Sequence, residues 1–124
     1  MSRTYYTKDH EWITLESDTV GIVGITDYAQ EQLGDLVFIE LPELEREVAA
    51  GEEVGVVESV KTAADVKSPV SGKVIGQNEA LADTPEMVNE AAMTEGWMFR
   101  IELSDAGELD GLMSAEQYQA LVGS

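Results

Sequence analysis

The chain is 124 residues long, with no cysteine, one histidine, and 7 Lys and Arg against 25 Asp and Glu, for a formal charge of −18. That length predicts one domain, residues 1–124, whose core needs no metal or disulfide staple, and the lack of cysteine excludes thiolate metal sites, Cys nucleophiles and protein disulfides. So acidic a chain repels nucleic acid and anionic membranes; with no run of ~18 apolar residues and no basic-then-apolar leader, the expected location is cytoplasmic and the expected partners are neutral or basic.

Thr4 to Leu15 is rich in aromatic and β-branched residues and reads as strand, broken near Lys8 to His10. A single histidine without cysteine builds neither a multi-histidine zinc site nor a Cys-His pair, so His10, beside Glu11, reads as structural. Val20 to Thr26 is a buried strand whose glycines permit close backbone approach; its G-x-x-G is no dinucleotide fingerprint. Asp27 as N-cap, Gln30 three residues on and Gly34 after Leu33 outline a short helix. Leu36 to Leu41 is a strand stopped by Pro42. Glu43 to Glu53 is charged and needs no role beyond solvation, with a tight turn at Ala50-Gly51-Glu52.

The segment from Gly55 to Val74 organises the rest. Val54, Val56 and Val60 share one parity before Lys61, and Ala64, Val66 and Ser68 alternate with Asp65 and Lys67 after it, which predicts a hairpin with Lys61 at or near its tip. Ser59, Thr62, Ala63 and Ala64 are small and leave the ammonium group reachable. A nucleophilic lysine needs desolvation or a neighbouring cation, whereas Glu58 and Asp65 and a wet tip favour the charged amine. Lys61 is therefore better suited as a point of attachment or contact than as a catalyst.

Ser68 to Gly72 supplies turn chemistry and Lys73 to Gly76 a short strand. Thr84 as N-cap and Pro85 at the first helical position start a helix toward Asn89. Glu95 to Ile101 is the last expected strand. Ser104 or Asp105 opens a helix bearing Leu109, Leu112 and Met113, and Ser114 with Gln117 opens another bearing Tyr118, Leu121 and Val122. Short strands at this spacing predict a mainly β sandwich or barrel with short flanking helices and a C-terminal helical segment, rather than βαβ units.

The run from Glu58 to Asp65 around Lys61, followed by Ser68-Pro69-Val70-Ser71-Gly72, resembles the swinging-arm site of lipoyl carrier domains, and most of all the H proteins of the glycine cleavage system. Asp9-His10-Glu11-Trp12, Ile25 to Gln30 with Leu33-Gly34-Asp35, and Gly96-Trp97 extend the likeness from Tyr6 to about Ile101. Ala91 to Thr94 departs from it, standing where relatives commonly have a Pro-Tyr pair. Biotin carriers usually flank their lysine with methionines, and Val60 and Thr62 occupy those places here.

The resemblance implies the flattened β-barrel or sandwich of the lipoyl-domain (barrel-sandwich hybrid) type, and lipoic acid in amide linkage on Lys61. It also implies that Glu58 and Gly72 serve recognition by the lipoylating enzyme. Glu11 and Asp65 match positions where the family places acids against the aminomethyl-bearing arm, and Asp9, standing where others have Ser, is a third candidate contact to it. The implied role is a carrier rather than an enzyme. It would take an aminomethyl group from glycine decarboxylase, a pyridoxal-phosphate enzyme, to a tetrahydrofolate-dependent aminomethyltransferase, and present dihydrolipoyl to dihydrolipoyl dehydrogenase. Two alternatives stay open: a lipoyl carrier or donor for another complex such as a 2-oxo acid dehydrogenase, and an unmodified binding module in which Lys61 is a contact residue.

Overall fold

The structure, a computed structural model, describes residues 3–123. The β-branched and alternating runs become strands β1 (Arg3–Tyr6), β2 (Glu11–Leu15), β3 (Val20–Ile25), β4 (Leu36–Glu40), β5 (Glu47–Val48), β6 (Glu53–Ser59), β7 (Ala63–Lys67), β8 (Gly72–Gln77) and β9 (Phe99–Leu103). They pair antiparallel in two sheets, ordered β1-β2-β3-β9-β8-β5 and β4-β6-β7. The helices are α1 (Asp27–Leu33), α2 (Ala80–Asp83), α3 (Glu86–Ala91) and α4 (Ala115–Gly123), with a 3₁₀ segment at Ala106–Gly111. This is the mainly β architecture expected, two facing sheets that do not close into a barrel.

One hydrophobic cluster joins the layers. Ile13, Val23 and Ile101 come from the larger sheet, Ile39, Val57 and Val66 from the smaller, and Leu81 and Val88 from α2 and α3. Burial of such side chains, at about 1.5–3 kcal/mol each, holds the sheets face to face.

The parity expected of β6 is broken. Its register against β7 shifts between Glu53 and Gly55, so Val54 and Val57 are buried while Val56 is half-buried and Val60 exposed. A Cβ at Gly55 would stand 2.5 Å from the Glu40 carbonyl oxygen, so glycine lets the shifted strand lie against β4.

Three helix and strand starts also move, and one short strand is added. Thr26, not Asp27, caps α1: its hydroxyl accepts from the Ala29 N–H, and Asp27 in the first turn accepts from the Gln30 side chain at 2.9 Å. Pro85 takes the cap position of α3, and Thr84 contributes its carbonyl to Met87 rather than its side chain. β9 begins at Phe99 instead of Glu95 because Gly96 packs on the end of α3, where a Cβ would meet the Ala91 carbonyl oxygen at 2.9 Å. The charged stretch after Pro42 includes β5, which pairs with β8, and is fastened by Arg46 to Glu52 at 2.8 Å and Lys73 to Glu45 at 2.7 Å. The capping box before α4 forms as read: the Ser114 N–H donates to Gln117 Oε1 and the Gln117 N–H to Ser114 Oγ.

Candidate functional site

The tip between β6 and β7 is built around one hydroxyl. Ser59 Oγ accepts from the N–H groups of Lys61 (3.3 Å) and Thr62 (3.1 Å), and the Ser59 N–H donates to the Thr62 carbonyl at 2.7 Å. A side chain that satisfies the turn's own donors lets so short a connection hold its shape. Val60, Lys61 and Thr62 stay exposed.

The tip is tied to the C-terminal end of α1. The Val60 N–H donates to the Asp35 carbonyl at 3.1 Å. Asn89, reaching over from α3, donates to Gln30 Oε1 and the Gly34 carbonyl and accepts from the Leu36 N–H, each at 2.9 Å. Gly34 has φ +87°, and the Lys61 stem lies over it: a Cβ there would be 3.4 Å from Lys61 Cε. The tip lysine thus leans toward α1.

Beside α1 runs a cleft of about 380 Å³. Ile25, Ala29, Leu33, Val57, Ala64 and Val66 make it apolar, and Asp9, Glu11 and Asp65 give it carboxylates. By strand rise, Ala64 to Val66 lies roughly 7 to 13 Å along β7 from Thr62 at the hairpin tip.

The three acids differ in kind. Glu11 is only 3% exposed. Thr7 Oγ1 donates to its Oε1 at 2.6 Å, and the Lys67 N–H donates to its Oε2 at 3.3 Å. Burial raises its pKa from 4.5 to about 7, overriding the Thr7 and Lys67 hydrogen bonds that act the other way, with the Asp9 charge adding to the rise. Asp9 is exposed, its carboxylate 3.9 Å from Lys67 Nζ. Asp65 is exposed on β7, an edge strand, where it borders the cleft. The structure therefore brings Asp9, Glu11 and Asp65 to one cleft, and Lys61 leans over Gly34, the residue that follows Leu33 of the cleft wall. A long apolar chain ending in a cation suits that lining.

The other residues singled out in the sequence go elsewhere. Glu58 is exposed and paired with Ala63 and Phe38, beside the tip but outside the cleft. Gly72 lies in β8 of the larger sheet, paired with Val48 and Leu103; a Cβ there would overlap the Glu102 carbonyl oxygen. Close backbone packing accounts for glycine at that position. His10 holds φ +71°, shares a 2.8 Å hydrogen bond with the Tyr118 hydroxyl and lies against Tyr28, with ring centroids 4.7 Å apart. The Tyr118 hydroxyl is also 2.6 Å from Thr26 Oγ1, so His10 ties α4 to the start of α1. Among the described residues no group of three or more His, Cys, Asp or Glu could hold a metal ion.

Ser59, Asn89 and Thr7 are the positioning residues that sequence reasoning missed. Ser59 acts on backbone groups of its own turn, Asn89 on backbone groups and the Gln30 side chain across the fold, and Thr7 on the N–H and carboxylate of Glu11. Only the short Ser-x-Lys-Thr spacing of the tip carried a local signal, that of a serine turn.

The family model described as Glycine cleavage H-protein matches residues 4–124. The glycine cleavage system H protein of Rhodospirillum rubrum is 53% identical over 123 residues, covering 99% of this chain and 98% of the relative. That of Coxiella burnetii is 58% identical over 118 residues, covering 95% and 91%. The crystal structure of the Mycobacterium marinum glycine cleavage system H protein superposes with a TM-score of 0.89 at 39% identity, covering 98% of this chain and 97% of that one.

Proposed function

The chain belongs to the glycine cleavage H-protein family, and from that membership we propose that it is the lipoyl-bearing shuttle of glycine cleavage, with lipoic acid attached to Lys61. The observation that carries the reading is the placement of one exposed lysine, leaning over Gly34, beside an apolar cleft lined with carboxylates. When bound, lipoate supplies a redox-active disulfide that takes up a one-carbon amine unit. The chain's own residues supply position. Ser59 fixes the turn from which Lys61 projects, and the cleft offers apolar cover for the tether.

Glu11 holds the cationic amine of the cargo by a charge-assisted hydrogen bond, with Thr7 and the Lys67 N–H fixing the carboxylate's orientation. Asp65 assists from the edge of β7. Asp9 balances the Lys67 ammonium and contributes field rather than contact. Glu58 is the contact read by the lipoylating enzyme, and Gly72 acts on lipoylation only through the seating of β8 on β9. No nucleophile and base pair is needed, because decarboxylation, transfer to tetrahydrofolate and reoxidation belong to glycine decarboxylase, the aminomethyltransferase and dihydrolipoyl dehydrogenase.

The test is glycine-dependent exchange of labelled bicarbonate by glycine decarboxylase, with this protein lipoylated as the only carrier. Exchange that saturates with carrier concentration is expected. No exchange, with acylation by a 2-oxo acid dehydrogenase instead, would replace the partner set while keeping the arm.

A further inference from the structure

β4 carries an irregularity that the cleft does not explain. Leu36 pairs with Ser59 but Phe38 pairs with Glu58, so the register slips between them and Val37 is the extra residue of a bulge. Bulges re-aim side chains, and here two consecutive apolar residues face water: Val37 is 54% exposed and Phe38 48%, between buried Leu36 and Ile39. At the tip, Val60 is 71% exposed, and its N–H is held by Asp35 one residue before β4 begins. Cross-strand partners share a face, so Phe38, Glu58 and Ala63 form one row across the outside of the smaller sheet, and Glu40 and Val56 the next, which ends at Asp65 on the edge strand, where the outer face meets the rim of the cleft. Lys61 thus adjoins an apolar pad of Val37, Phe38 and Val60, with Glu58 and Glu40 around it. Val57, Ala64 and Val66 point the other way, into the cleft and core.

Exposed apolar side chains on a sheet invite aggregation, and a bulge that turns two of them out together marks a surface meant to be covered. A second copy of this chain is a poor cover, since each carries a charge of −18 and the pad has its own carboxylates. Partners that receive a long tether can dock away from its root. An enzyme that joins a group to Lys61 itself must admit the tip, and so must cover Val60 and what lies beside it.

We propose that Val37, Phe38 and Val60 form the docking pad for the enzyme that modifies Lys61, whose entrance presents an apolar depression flanked by basic side chains. The proposal rests on the reading of Lys61 as the attachment site. It adds an apolar contact to the charged one at Glu58, and it separates the face used for modification from the cleft used for cargo.

The experiment follows modification of Lys61 by a lipoate ligase with lipoate and ATP, using intact mass, for wild type, Phe38→Ser, Val60→Ser and the double variant. Ile75→Ser serves as control, an exposed apolar residue on β8 of the other sheet. The double variant should lose about tenfold or more in kcat/KM, through KM, while keeping kcat. Phe38→Leu should restore most of it, and thermal unfolding checks that each variant is folded. Wild-type kcat/KM in the folded double variant overturns the proposal. So does an unchanged ligase reaction accompanied by lost exchange with glycine decarboxylase, which would put a different partner on the pad. A wild-type protein left unmodified at Lys61 overturns the attachment reading first, and the two failures are distinguishable.

Discussion

The hairpin tip and the Thr7-to-Glu11 corner treat their charges in opposite ways. At the tip, Lys61 and its neighbours stand in water, held by hydrogen bonds from the turn's own backbone to Ser59. At the corner, a carboxylate is buried, with a hydroxyl on one oxygen and a backbone N–H on the other, and its pKa is pushed up to about 7. A lysine to be modified by another enzyme gains nothing from desolvation and needs access. A carboxylate that holds a cation gains from a dry site, because water no longer competes and an unpaired buried charge is costly. One sheet carries the tip, the other the corner, and the cleft is where they meet.

Four changes break or sharpen that contrast. Lys61→Arg removes the amine proposed to carry lipoate and should abolish lipoylation outright, while changing stability by less than about 0.5 kcal/mol because the site is exposed. Denaturant titration beside mass analysis checks both halves. Gly72→Ala touches neither region yet should cost about 3 kcal/mol or more, since its Cβ overlaps the Glu102 backbone and nothing flexible can yield. Any lipoylation defect in that variant should track its loss of folded protein.

Glu11→Gln isolates the corner through pH. The unfolded carboxyl gives up its proton near 4.5, whereas the folded one keeps it to about 7, so between those values the unfolded state binds fewer protons and stability falls as pH rises. Wild type should lose up to about 3 kcal/mol on this account between about pH 5 and about pH 8, and Glu11→Gln should lose the dependence. A cation in the cleft reverses the effect by favouring the carboxylate, so capture of an amine should strengthen as pH rises through 7. Ser59→Ala should have the smallest effect, about 1 kcal/mol, with faster hydrogen exchange at Lys61 and Thr62 and none of the pH signature. A pH signature there would show that tip and corner are not separate.

Much of this was legible in the sequence, for reasons that differ by residue. The lysine between two strand-like runs, the proline after β4 and the Ser114 to Gln117 capping box are local patterns, and local geometry realises them. The mainly β fold and the family followed from residue identities spread along the chain. Glu11 was singled out by resemblance alone; its burial is set by the packing of strands far apart in sequence. Periodicity failed at β6 because a shift beside Gly55 swaps inward and outward positions, and a single extra residue leaves no compositional trace. The bulge at Val37 was hidden for the same reason: Leu36-Val37-Phe38-Ile39 is uniformly apolar, so nothing in it says which two residues face water. Asn89 was missed because its partners lie across the fold, and Thr7 because it meets Glu11 only through the turn that His10 makes at φ +71°.

The most direct measurement is peptide mass mapping after incubation with a lipoate ligase, lipoate and ATP, comparing wild type with Lys61→Arg. This account predicts a lipoyl adduct on the peptide containing Lys61, on no other lysine, and absent from the variant. A folded wild type that stays unmodified while a control lipoyl domain is modified in the same tube would contradict it, and would leave the cleft and its buried carboxylate without an arm to hold.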